Sequence, residues 1–144
     1  MLSKPEYGWT TFSLPGTSEY EISDLDDLPM HWLADAIYGL ENKRAFCVSN
    51  NMELEELYCV IDWYGSFIVI AEDDCGLERE DNVVAMEYSP TTTTKSFCKM
   101  LCEDLRANID EWAGFADYFC DSKDERRALI LEKVEKLEAM LKEV

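Results

Sequence analysis

The sequence predicts an α+β domain: an antiparallel meander of about five or six strands covered by three helices, two of them C-terminal. Three observations carry this prediction. Apart from one helical stripe at 28–40, the apolar residues up to 88 come in short runs divided by turn residues, whereas from Lys95 onward they recur at helical spacing. The 144 residues suit one hydrophobic core, so 1–144 reads as a single domain. The chain is 47% apolar, with four Trp, seven Tyr and six Phe, which excludes an acidic disordered polymer.

The elements follow in order. Residues 8–14 carry Trp9, Phe12 and Leu14 among polar neighbours and end at Pro15-Gly16, a strand followed by a turn. Tyr20 and Ile22 alternate with Glu19, Glu21 and Ser23, which makes 18–23 its hairpin partner. Asp27 is placed to cap a helix, and Pro29 is tolerated in the first turn because its missing N–H has no intrahelical partner. Leu28, Trp32, Leu33, Ala36, Ile37 and Leu40 form the buried stripe of that helix, which ends near 41–43.

Four apolar runs come next: 44–49, 57–63, 67–71 and 83–88, with turns expected at Asn50-Asn51 and at Tyr64-Gly65. Connections this short imply antiparallel neighbours. The 67–71 run is apolar at every position, which fits a central strand with helices over one face. Thr91 to Thr94 supply cap candidates for a helix in which Phe97, Met100, Leu101, Leu105, Ile109, Trp112, Ala113 and Ala116 form one stripe. Ser122 and Glu125 have capping-box spacing before a last helix with Ile130, Val134, Leu137 and Leu141 inward. Its exposed side is expected to pair Glu132 with Lys136 and Glu138 with Lys142.

Catalytic templates find no footing in these residues. The six glycines are scattered, unlike those of a phosphate-binding loop. His31 is the single histidine, set in the first turn of a helix beside Trp32 and without a nucleophile motif. The six cysteines form no CxxC pair, so they read as free thiols in a reducing compartment and not as zinc ligands. The 72–81 segment lacks the alternating acids and terminal glutamate of a calcium loop. No enzyme, cofactor or metal is therefore expected. No run of three basic residues supplies a nucleic-acid footprint, and no apolar run is long enough for a membrane span or signal peptide, which points to the cytoplasm.

Charge is the positive signal. The chain carries −18 from 13 bases and 31 acids, and 19 of the acids lie in residues 1–91 against only Lys4, Lys43, Arg44 and Arg79. Clustered like charge costs stability by self-repulsion and is answered by a cationic partner. The candidate contact residues are Asp24, Asp26 and Asp27; Glu53, Glu55 and Glu56; and Glu72, Asp73, Asp74, Glu78, Glu80 and Asp81. Trp63 and Tyr64, at an expected hairpin tip, are the candidate aromatic anchors beside them.

Several features together resemble bacterial immunity proteins of polymorphic toxin systems: Gly8-Trp9-Thr10-Thr11-Phe12 near the start, the Leu28-Pro29 helix start, the strand meander, and Ser89-Pro90 before a helix carrying Trp112. Such proteins are small, acidic, cytoplasmic and non-enzymatic, and each blocks a cognate toxin, often a basic nuclease. The resemblance implies a basic toxin domain as partner and carries no site residues with it. Two other readings stand beside it: a nucleic-acid mimic that occupies the groove of a nucleic-acid-binding protein, and a small-molecule domain with a pocket between sheet and helices. An open sheet face rich in Tyr and Trp would point to a homodimer or partner interface.

Overall fold

The structure, a computed structural model, describes residues 1–72, 82–116, 118 and 122–144. Within them the chain runs β1 (Trp9–Phe12), β2 (Tyr20–Ser23), α1 (Leu28–Asn42), β3 (Phe46–Asn51), β4 (Glu55–Asp62), β5 (Gly65–Glu72), β6 (Val83–Ser89), α2 (Thr94–Ala107), α3 (Ile109–Gly114) and α4 (Lys123–Leu141). The fold is α+β, as the sequence predicts, but its six strands divide into two antiparallel sheets, β1-β2 and β3-β4-β5-β6.

The four-stranded meander follows directly from turn chemistry. Asp62 pairs with Gly65, so Trp63-Tyr64 is a two-residue hairpin loop, and that loop fixes the β4–β5 register through to Glu55 opposite Glu72. Leu57, Cys59 and Ile61 on β4 and Ser66, Ile68 and Ile70 on β5 then face the helices and are buried. The alternate positions, Val60 and Phe67 among them, face solvent. The 67–71 run is thus apolar on both faces because one face is core and the other is open. Asn50-Asn51 is no turn: both residues lie in β3 and pair with Leu57 and Glu56 of β4, and Asn50 is buried with its Nδ2 donating to the Ser23 carbonyl (2.8 Å).

The inner face is covered by three pieces. α1 crosses β3 at close range, since a Cβ on Gly39 would lie 2.2 Å from the Phe46 ring. α2 packs against β4. The β1–β2 hairpin lies beyond them: Ser89 Oγ donates to the Pro15 carbonyl (2.7 Å), and Glu87 of β6 accepts from Ser18 N (3.1 Å) and from the Tyr20 hydroxyl. An aromatic chain joins all three pieces, Phe12 to Trp32 (5.1 Å), Trp32 to Phe97 (6.1 Å) and Phe97 to Phe46 (5.8 Å). α4 rests mainly on α1, α2 and α3.

Two helical details depart from the sequence reading. The predicted helix from Lys95 is two helices, broken at Asn108 (φ −129°, ψ 42°), which turns Trp112 into the core against Phe115 (5.1 Å). The stripe at 105, 109, 112 and 116 spans the break at unbroken helical spacing, so periodicity alone could not locate it. On α4, Lys136 reaches Glu41 of α1 (3.3 Å) and Glu138 binds Arg106 of α2 (2.6 Å), so charges expected to pair along one helix pair between helices. The caps at Thr93 and Ser122 form as the sequence predicts, each side chain accepting an N–H from the first turn.

Candidate functional site

The connection from β2 to α1 carries Asp24, Asp26 and Asp27, and local hydrogen bonds fasten it to the end of β3. Asp24 N donates to the Gly8 carbonyl (2.9 Å), Asp26 Oδ2 accepts from Asn51 N (2.8 Å), and Ser23 Oγ donates to the Asn51 carbonyl (3.1 Å). The first acidic cluster is thereby brought beside the second, which occupies the β3–β4 turn and the start of β4. In that turn Met52 N donates to the Glu55 carbonyl (2.8 Å), and Glu53 takes φ +76°, a left-handed conformation uncommon for a residue other than glycine. Glu56 pairs with Asn51, and Glu55 stands directly opposite Glu72 on β5. Like charges at directly opposed sheet positions destabilise a sheet. Asp24, Asp26, Glu53, Glu55, Glu56 and Glu72 therefore meet at one end of the molecule, all of them partly or fully exposed.

Asp27 is a correction. It occupies the N-cap position of α1, but its carboxylate caps nothing. It is buried in a two-pronged ion pair with Arg126 of α4, Oδ1 to Nη2 at 2.5 Å and Oδ2 to Nη1 at 2.9 Å, and Arg126 Nη2 also donates to the Phe115 carbonyl (2.7 Å). A charge buried this way needs its partner inside the fold. Asp27 is thus a strut beneath the acidic end and offers no charge to an outside partner.

Trp63 and Tyr64 form a hairpin loop, as the sequence predicts, but not beside the acidic clusters. That loop lies at the far end of the β4–β5 hairpin from the acids: eight residue steps at about 3.3 Å each put Trp63 roughly 26 Å from Glu55. Trp63 is half-buried against the core, and Tyr64 is exposed. Asp73, Asp74, Glu78, Glu80 and Asp81 lie outside the described residues.

The apolar groups that do stand among the acids are Leu25, Leu54 and Tyr118, which the sequence reading did not single out. Leu54 is 86% exposed at the tip of the β3–β4 turn. Tyr118 donates its hydroxyl to the Asp24 carbonyl. Its pKa is raised, by desolvation first and then by the negative field of Asp24, Asp26 and Asp27. A signal existed in the sequence: Leu25 and Leu54 each interrupt an acidic run, Asp24-Leu25-Asp26 and Glu53-Leu54-Glu55.

Elsewhere the surface is electrically quieter. Lys4, Lys99, Arg106, Arg127 and Lys136 each pair with a carboxylate carried by a helix, namely Glu111, Glu103, Glu138, Asp110 and Glu41. Cys59, Cys98 and Cys102 are buried as free thiols; desolvation raises all three, Cys98 and Cys102 to about 12, so they are held protonated. Among the described residues no group of three His, Cys, Asp or Glu converges to hold a metal ion, and no helix is long and apolar enough to cross a membrane.

Comparison with protein-family models, curated proteins and solved structures gives no match. The functional reading therefore rests on the residues themselves.

Proposed function

We propose that this chain is a non-enzymatic acidic binding protein of the immunity type, which neutralises a basic toxin domain by direct contact through the acidic end of its sheet. The convergence of Asp24, Asp26, Glu53, Glu55, Glu56 and Glu72 around exposed Leu25 and Leu54 carries this reading. An apolar anchor ringed by charge of one sign is what a cationic protein surface recognises: the anchor supplies buried area, and the ring supplies steering and register. Two costs built into the fold support it. The Glu55–Glu72 opposition and the left-handed Glu53 both lower the stability of the free protein, and a bound cation would relieve the first of them.

The test is binding of the full chain to the basic toxin domain encoded by the neighbouring gene, measured by calorimetry across a salt series. Nanomolar binding that weakens steeply as salt rises is expected, because exposed charges are screened beyond about 10 Å at 0.1 M. Binding indifferent to salt, or no binding, rejects the reading. Competition with an oligonucleotide for the toxin distinguishes occupation of a nucleic-acid groove from inhibition at a separate surface.

A further inference from the structure

Among the described residues, no helix covers the outer face of the four-stranded sheet. Three cross-strand rows on it run through all four strands: Asn51–Glu56–Ala71–Val83 at the acidic end carries Glu56, and beyond it lie the two neutral rows, Cys47–Val60–Phe67–Tyr88 and Ser49–Tyr58–Val69–Met86. Phe67 and Tyr88 stack at 4.6 Å. Val60, Phe67, Tyr88 and Met86 are 39%, 43%, 51% and 64% exposed. In a chain that is 31% charged and carries −18, none of the eight positions in the two neutral rows holds a charge. Glu56 and Asp62, at the two ends of β4, mark where the neutral field stops.

We infer that this face is the contact between two copies of the chain, an isologous dimer independent of the acidic end and of the function proposed for it. Charge selects the occupant. A cationic partner would find no carboxylate in either neutral row to answer it, and burying its cations there unpaired would cost several kcal/mol. A second copy brings the same neutral rows, and an isologous contact requires a surface that complements itself. Elsewhere two molecules of −18 repel, so the neutral sheet face is where they meet at least cost.

The size also fits. Four strands about 4.8 Å apart and about 23 Å long, with Glu56 and Asp62 as a charged rim, give a footprint of roughly 400 Å². With both copies counted the contact covers roughly 800 Å², the size of a weak, transient interface. The dimer is accordingly a micromolar one.

The dimer and the toxin contact respond to salt with opposite sign, which separates their tests. Screening weakens attraction to a cation and relieves repulsion between two acidic copies. Sedimentation equilibrium of the full chain is expected to show a monomer–dimer equilibrium that tightens severalfold between about 0.05 and 0.5 M NaCl. Phe67→Glu and Met86→Lys should each weaken it at least about tenfold, as placing an unpaired charge in an apolar contact does. Met86→Lys is the decisive variant. It lies on an edge strand facing solvent, so the fold tolerates it, as far-UV circular dichroism will check. It also lowers the net charge, so weaker association could not be assigned to repulsion. A chain that stays monomeric at about 0.5 mM in high salt overturns the inference, since that is far above any micromolar dissociation constant. So does a dimer indifferent to Met86→Lys. If Met86→Lys instead weakens toxin binding, the face belongs to the toxin and the dimer is rejected.

Discussion

At the turn between β3 and β4 six carboxylates surround Leu25 and Leu54; on the outer face of the same sheet eight neighbouring positions carry no charge at all. Both surfaces are solvent-exposed and both use the same strands. Glu56 and Val60 even share one face of β4, four residues apart. The difference shows that charge is unevenly divided over this sheet. Six carboxylates gather where hydrogen bonds hold the β2–α1 connection against β3, and none stands in the two neutral rows of the outer face. A small domain can in this way carry two contacts whose strengths are set by opposite terms, one electrostatic and one apolar.

The most drastic way to break the comparison is to remove the strut beneath the acidic end. Arg126→Met leaves Asp27 buried and alone, and should destabilise the fold by about 3–5 kcal/mol, read from urea unfolding. Asp27→Leu combined with Arg126→Met should recover much of that loss, because two apolar groups need no pairing. Next in size is charge reversal at the acidic end itself. Glu53→Lys with Glu56→Lys should cut toxin affinity about a hundredfold, mostly through slower association, and leave the dimer intact or tighter; stopped-flow and sedimentation measurements check each half.

A milder change sharpens the neutral side. A Cβ on Gly65 would meet the Tyr88 hydroxyl at 2.6 Å. Gly65→Ala should therefore swing Tyr88 off Phe67 and weaken the dimer a fewfold, at under about 1 kcal/mol in stability, since only the mobile end of a side chain has to move.

The smallest effect concerns the hairpin that closes the inner face. Hydrogen bonds from Tyr20 and Ser18 hold the Glu87 carboxyl below its ordinary range, while burial and Glu87 push the Tyr20 hydroxyl up to about 12. The Glu87 contribution is fully present above the unfolded carboxylate value and is lost as pH falls through the depressed folded value. The Tyr20 contribution is present below the unfolded value of 10.0 and is lost as pH rises through about 12. The stability gap between wild type and Glu87→Gln should thus be open at neutral pH and close in acid, as thermal melts across pH will show.

How much of this was legible in the sequence follows from the range over which each interaction acts. Alternation at Tyr20 and Ile22, the 28–40 stripe, and the Thr93 and Ser122 caps are local, and the chain folds as they indicate. The acidity of the first 91 residues was equally plain. The partner of Asp27 was not, because a carboxylate before a helical stripe looks like a cap and the competing guanidinium lies far along the chain. Nor did sequence proximity show that Trp63 and Tyr64 end up a strand's length from the acids, or that Leu25 and Leu54 take their place. The neutral face was hidden for a related reason: its members come from four strands and become neighbours only when the register is set.

The Asp27–Arg126 bond spans 99 residues and joins the first helix to the last. During synthesis the acids, the meander and α1 all emerge before the residue that fastens them. A nascent chain halted before Arg126 would present Asp27 as a loose carboxylate, with the Asp24–Asp27 connection held by its bonds to Gly8 and Asn51. The full stability of this end of the fold should therefore arrive abruptly, with the completed chain and not in proportion to its length.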